Sequence, residues 1–287
     1  MTKILDEKTV SRVKSLINLL SDEDDSIYNT VRQHLMETGP EALPLLEDYL
    51  ETEDSVLRER VKEVFESISG ISFKELWRTY LAKSKNDPDL EEGALTIAKF
   101  AYPQSDMRIY SDLLNFYATE FHSRLDPTVA PHEIAAAIGH FFSVEKGFIG
   151  NERDYYDPAN HFIHKVLETK KGVPITLSVI YMLVLCRLNF PVKGIGLPGH
   201  FIIRYDFGVK SIFADPFNAG RILTEKECEG RVNQMGYSFK TEYLEPVTNK
   251  QILERMLRNL LLVYERQSES NKVQSIIECI DILNLIV

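Results

Sequence analysis

A chain of 287 residues, 44% hydrophobic and 26% charged, can bury a sizeable core and has the balance of an ordinary globular protein. Its net charge of −10 argues against a nucleic-acid surface as the main role. Its three cysteines, Cys186, Cys228 and Cys279, are too few and too uneven for a disulfide framework and suit a reducing compartment.

The first residues, Met1-Thr-Lys-Ile-Leu-Asp-Glu-Lys8, lack a secretory apolar run. The longest apolar stretch, Ile175 to Cys186, is interrupted by Thr176, Ser178 and Tyr181 and is too short to span a membrane. The expectation is a cytoplasmic protein with neither membrane nor nucleic-acid partner. The acidity is concentrated at the front: residues 1–70 hold 16 Asp and Glu against 8 Lys and Arg. A solvated helical surface accounts for this, and steering of basic partners is the alternative.

Residues 8–69 carry a weak internal repeat. Leu16, Leu19, Leu20, Ile27, Val31 and Leu35 align with Leu46, Tyr49, Leu50, Leu57, Val61 and Phe65 at a constant offset of 30, and Asp24 aligns with Asp54. The apolar spacing inside each unit is helical, with polar turns at 21–25 and 51–54. Such units bury their faces by stacking on neighbours. The pattern resembles a HEAT-like repeat, with an antiparallel bundle as the plainer reading.

Gly70 and the residues after it read as a boundary. Helical patterns follow at 73–84, 89–100, 105–124 and 130–142, with Pro88, Pro103, Pro127 and Pro131 near their starts or between them. Tyr80, Phe100 and Phe116 read as core of these helices. The stretch 147–160 reads as a loop shaped by Tyr155, Tyr156 and Asp157, and Asn160 is the expected N-cap of a helix at 161–169. Asn151 either stabilises a turn here or lends an amide to an oxyanion. His161 and His164 stand three apart, but without third and fourth ligands nearby no metal is expected.

A long helix follows Gly172. Strand signals come only after residue 190: Val192–Ile195, Phe201–Tyr205, Ser211–Ala214 and, more weakly, Gly236–Tyr243. The tail predicts two amphipathic helices, 249–266 and 272–285, broken at Ser268-Glu-Ser-Asn271. Gly-rich phosphate loops, HExxH and paired CxxC motifs are absent, so no cofactor is expected.

Spacing alone suggests one site. If Phe201–Tyr205 and Ser211–Ala214 form a hairpin about a Phe207-Gly208 turn, His200 stands directly opposite Asp215 on the same face. Asp215 there can fix the imidazole tautomer. A structural His-Asp bond that pins the hairpin is the plainer reading. The helix after Gly172 presents free N–H groups and a positive dipole end, an environment that favours a thiolate or oxyanion. Pro174 occupies its start and offers no nucleophile. Thr176 is the nearest substitute, and an ordinary first-turn hydroxyl is its plainer reading.

The combined text resembles the SirB-type branch of the transglutaminase-like superfamily. The resemblance rests on Glu92-Gly-Ala-Leu-Thr-Ile-Ala-Lys-Phe-Ala-Tyr-Pro103, Gly150-Asn-Glu-Arg-Asp-Tyr-Tyr-Asp-Pro158, Gly172-Val-Pro-Ile-Thr-Leu-Ser178, Gly194-Ile-Gly-Leu-Pro-Gly-His-Phe201, Asp215-Pro-Phe-Asn218 and Ile252-Leu-Glu-Arg-Met-Leu-Arg-Asn-Leu260. It covers roughly 88–287. It implies a papain-like fold, with a nucleophile-bearing helix packed on an antiparallel sheet that carries His200 and Asp215 as the catalytic pair. It places the cysteine position on Pro174, with Asn151, Tyr156, Gly199 and Asn218 lining the groove.

The fold class expected is therefore α+β, mostly helical. An acidic HEAT-like domain is expected at 1–70, a transglutaminase-like domain at 71–245 and a tetratricopeptide-like helix pair at 246–287. A non-catalytic protein that binds a protein or peptide partner in the former active-site groove is the leading function. A noncysteine hydrolase or amide transferase using Thr176, His200 and Asp215 is the alternative, and a helical scaffold is a third.

Overall fold

The computed structural model describes residues 6–84, 87–125, 129–208 and 210–285. Pro127 and the stretch Met1 to Leu5, which figure in the expectations above, lie outside them. The fold is mostly helical α+β.

The front is built of helices α1 (Glu7–Asn18), α2 (Asp25–Thr38), α3 (Leu43–Glu47) and α4 (Ser55–Ala82). The repeated aspartates start α2 and α4: Asp24 accepts from the Ser26 amide at 2.8 Å, and Asp54 from Val56 and Leu57 at 3.0 Å each. Each satisfies amides that a helix start leaves without partners. Leu20, Val31, Leu35, Leu46, Leu57 and Val61 of the repeat share one buried cluster, whereas Leu19 and Ile27 are exposed.

The break expected at Gly70 is a helix interior instead. Helix α4 runs through it for 28 residues. What changes there is the packing partner: Ile68 belongs to the front cluster, whereas Phe73, Trp77 and Tyr80 belong to the central one. A Cβ on Gly70 would come 2.9 Å from Ser275 Oγ, so the glycine serves close approach of the last helix rather than chain reversal.

Next come α5 (Leu90–Ala98), α6 (Arg108–His122), α7 (Pro131–His140), β1 (Ile149–Gly150), α8 (Ile163–Thr169), β2 (Lys171–Gly172) and α9 (Pro174–Arg187). Phe116 is no core residue, being 59% exposed on the outer face of α6 while Leu114, Tyr117 and Phe121 point inward. Asn160 does not cap α8. It lies in a single 3-10 turn, Pro158–His161, capped by Asp157, and α8 starts after Phe162.

Strands β3 (Val192–Ile195), β4 (Ile202–Phe207), β5 (Lys210–Asp215) and β6 (Arg221–Leu223) form one antiparallel sheet in sequence order. The weak strand signal at Gly236–Tyr243 is wrong: that segment is irregular and ends in a 3-10 turn at Thr241–Leu244. The fourth strand is β6, too short at three residues to show an alternating pattern. Helix α10 (Glu225–Gln234) follows the sheet, and α11 (Asn249–Arg266) and α12 (Ser270–Asn284) close the chain.

The hairpin register also differs from expectation. Ile203 pairs with Ala214 and Phe207 with Lys210, so the turn falls between Phe207 and Lys210, with Gly208 at φ +79°. Glycine takes that conformation freely, which moves the turn centre by one residue. Partners therefore shift by two, and the two faces are preserved. His200 and Asp215 lie just past the last β4–β5 pair, Ile203 with Ala214, and are not direct partners.

The central core joins α4–α9, the sheet and the tail. Ile252, Leu253, Met256, Leu257, Ile276 and Leu283 are buried in the same cluster as the apolar side chains of α9. Trp77 Nε1 donates to the Cys279 carbonyl at 2.9 Å, tying α4 to α12.

Candidate functional site

The site begins where α9 enters the core. Strand β2 pairs with β1 in parallel, Gly150 against Gly172, and the Asn151 amide donates to the Gly172 carbonyl at 3.1 Å. Asn151 Nδ2 donates to Asn160 Oδ1 at 3.1 Å, and the Asn160 carbonyl accepts from the Val173 amide at 3.3 Å. These contacts fix the residue before Pro174. Helix α9 then starts with no side-chain cap and no acid in its first turn.

His200 arrives from the sheet. Gly199 before it has φ +70°, and the His200 amide donates to the Leu197 carbonyl at 3.2 Å. Its Nε2 lies 2.9 Å from Asp215 Oδ2, and the Phe217 ring stands edge-on at 6.0 Å. With a carboxylate as acceptor, the proton belongs on Nε2.

Asp215 is fully buried. Its Oδ2 also accepts from Asn218 Nδ2 at 2.7 Å and faces Arg231 Nη1 at 2.8 Å, while Oδ1 accepts the Phe217 and Asn218 amides at 3.1 and 3.3 Å. Burial works to raise the carboxyl, but the bonds from His200 and Asn218 and the charge of Arg231 outweigh it and hold Asp215 below its ordinary value. A carboxylate that fixes one nitrogen of an imidazole leaves the other free to accept a proton, and the same contact pins the loop that carries the histidine.

No cysteine lines a cavity that meets His200. Pro174 lies in a cavity of about 320 Å³ with Tyr155, Tyr156, His161, Gly199, His200 and Arg255. Thr176 is fully buried, its hydroxyl has no hydrogen-bond partner, and it lines neither cavity that meets His200. Cys186 lies at the far end of α9, roughly 18 Å along the helix axis from Pro174. Cys228 and Cys279 are buried, and burial pushes their thiols up to about 11 and 12. None is positioned or activated as a nucleophile.

On the other side of His200 lies a second cavity, of about 660 Å³, whose walls include Arg221, Lys226, Glu227, Arg231 and Met235. His200, itself only 8% exposed, therefore contributes to the walls of two cavities. Tyr156 and Leu262, 41% and 45% exposed, edge the first cavity. The Arg266 guanidinium covers the Tyr156 ring at 3.9 Å.

Of the residues singled out in the sequence, Pro174, Tyr156, Gly199 and His200 line the first cavity, and Asp215 and Asn218 stand behind His200. Asn151 serves the turn, with Oδ1 accepting from the Asp154 amide at 3.2 Å.

Two residues were missed. Arg231 completes the Asp215 cluster. Arg255 Nη2 donates to the carbonyls of Leu197 and His200 at 2.8 and 2.7 Å, holding the loop that carries the histidine. His161, singled out in the sequence only beside His164, is 3% exposed and lines the cavity. Arg255 did leave a signal: with Ile252, Met256, Asn259 and Val263 it repeats at helical spacing, a cation on an apolar face. Arg231 left none. Among the described residues, no group of three His, Cys, Asp or Glu lies close enough to hold a metal.

A family model described as the transglutaminase-like superfamily matches residues 109–258. A UPF0162 protein of Xylella fastidiosa is 32% identical over 218 residues, covering 74% of this chain and 76% of that protein. One from Vibrio cholerae is 29% identical over 185 residues, 62% and 68% of the two chains. F-box only protein 21 of Mus musculus is 31% identical over 159 residues, covering 52% of this chain but 25% of that larger protein. No solved structure matches.

Proposed function

This chain belongs to the transglutaminase-like superfamily, and we propose that within it the chain is a non-catalytic, SirB-type member that holds a protein or peptide segment in the groove around His200, acting as a cytoplasmic adaptor. The observation that carries this reading is the pairing of a complete His200–Asp215–Asn218 support with a proline at the start of α9. The orienting bonds persist in a place where no side chain stands to be activated. An open groove on both sides of the histidine suits an extended segment better than a small molecule.

The proposed organisation is an acidic HEAT-like front at 1–70, a transglutaminase-like domain at 71–245 and a tetratricopeptide-like helix pair at 246–287. The alternative of a Thr176 nucleophile has less support, because its hydroxyl is sealed in the core.

The test places a photo-crosslinking residue at Leu262, on the groove's edge, or at Ile109, which is 63% exposed on α6. Partners captured from Leu262 and not from Ile109 support the reading. Identical capture from both positions, or hydrolysis of an ester or amide panel that Thr176→Ala abolishes, overturns it.

A further inference from the structure

The groove has a charge that the rest of the molecule does not. The chain carries −10 overall, yet the two cavities meeting at His200 are lined by Arg255, Arg221, Lys226 and Arg231 against Glu227 as the one acid. Arg231 and Arg221 already face Asp215 and Glu227. Arg255 and Lys226 form no ion pair among the described residues, and Arg255 is half-buried in the cavity wall.

A second feature of the same cavity points the same way. Helix α9, 14 residues long, aims its N-terminus into it through Pro174 and Ile175, without a cap or a first-turn acid. A helix start presents free amides and a positive dipole end, which take a carboxylate or another anion. Beside it, neither ring nitrogen of His161 makes a hydrogen bond of good geometry, although the ring is 3% exposed and the Tyr155 backbone lies close. A buried imidazole is costly to leave without a partner.

We infer that the groove receives an extended acidic peptide, one of whose Asp or Glu side chains seats its carboxylate at the start of α9, in the cavity that Arg255, His161 and His200 line. This deepens the groove-binding reading and rests on it. The carboxylate is assigned to a side chain rather than to a chain end because His200 also lines the second, basic cavity, where the residues flanking that side chain would lie. Lys226 and Arg221 then meet flanking acids of the same peptide.

The experiment uses the full chain and fluorescein-labelled nine-residue peptides blocked at both ends, one Glu-rich and one with Gln at the same positions. The Glu peptide is expected to bind about tenfold or more tightly than the Gln peptide, and to weaken as salt rises. Leu262→Glu adds a carboxylate at the cavity edge on an exposed position. It is expected to weaken the Glu peptide about tenfold and leave the Gln peptide little changed. Lys226→Glu, also outside the core, is expected to act in the same direction.

Equal affinities for the two peptides, both captured by a crosslinker at Leu262, overturn the acidic preference and leave groove binding standing. Glu-peptide binding that ignores both substitutions places the acid-binding surface elsewhere and overturns the inference. Capture of neither peptide from Leu262 overturns the groove reading itself. Binding only by a peptide with a free C-terminal carboxylate overturns the assignment to a side chain.

Discussion

At the level of single residues, the site is organised around one carboxylate. Asp215 is depressed and fully buried, so it stabilises the fold while ionised. That contribution is present above the unfolded carboxyl value near 4 and is lost as pH falls through the lower folded value. Asp215→Asn keeps the shape but removes the charge facing Arg231. It is expected to cost about 2–4 kcal/mol in urea unfolding at neutral pH and to flatten the acid limb of stability below roughly pH 4. The buried histidines act in an earlier window. Burial lowers His161 and His164 to about 4, so the native state resists a proton that the unfolded chain accepts near 6.5. Stability should therefore fall as pH drops from about 6.5 to about 4, by an order of 2–3 kcal/mol per ring. His164 packs edge-on against Tyr102 and Tyr110 at 4.5 and 5.4 Å, so His164→Phe should remove one share of that loss. That Pro174 offers no nucleophile was legible from residue type, as was Thr176 as the nearest hydroxyl along the helix. The burial of Thr176 was not, because a hydroxyl in a first helical turn can face either way.

At the level of elements, local rules worked where the structure is local. The offset-30 repeat and its two aspartates located the starts of α2 and α4. Asp24→Ala and Asp54→Ala should each lower stability by about 1 kcal/mol in thermal or urea unfolding, and unchanged midpoints would refute the capping role. Gly70 misled because glycine reads as punctuation, whereas here it admits α12 against α4. Alanine at this position gains about 1 kcal/mol of helix propensity while pressing on a rotatable Ser275 hydroxyl, so its effect should be small. Gly70→Leu has no such room and should destabilise by about 1–3 kcal/mol. The hairpin error was one residue in turn position. It left His200 and Asp215 on one face because a whole-residue shift of the turn centre preserves the pleat. Strand β6 escaped notice because three residues cannot display a period.

Across the whole molecule, front, centre and tail are linked through α4 and α12. Lys62 meets Glu269 at 3.2 Å, Lys272 meets Glu66 at 3.1 Å, and Lys74 meets Glu278 at 2.6 Å. Such partly exposed pairs contribute modestly, and the larger share comes from apolar burial around Phe73, Trp77, Ile276 and Leu283. Trp77 is the single tryptophan, so its fluorescence reports this junction. Removal of residues 270–287 is expected to shift Trp77 emission to the red and lower the melting temperature. Unchanged emission would show that α12 does not seal it.

The sequence by itself determined the helix-rich α+β class, the repeated front, the apolar α9 with its proline start, and the His200–Asp215 pairing. These follow from periodicity, turn chemistry and motifs confined to short stretches. Only the tertiary structure decided that Arg231 and Arg255 complete the site, that His161 faces the groove, and that Thr176 does not. Arg255 lies 55 positions from the His200 carbonyl it holds, and Arg231 lies 16 from Asp215 and on a different element. Contacts of that reach are set by how helices and sheet pack, and no spacing along the chain encodes them.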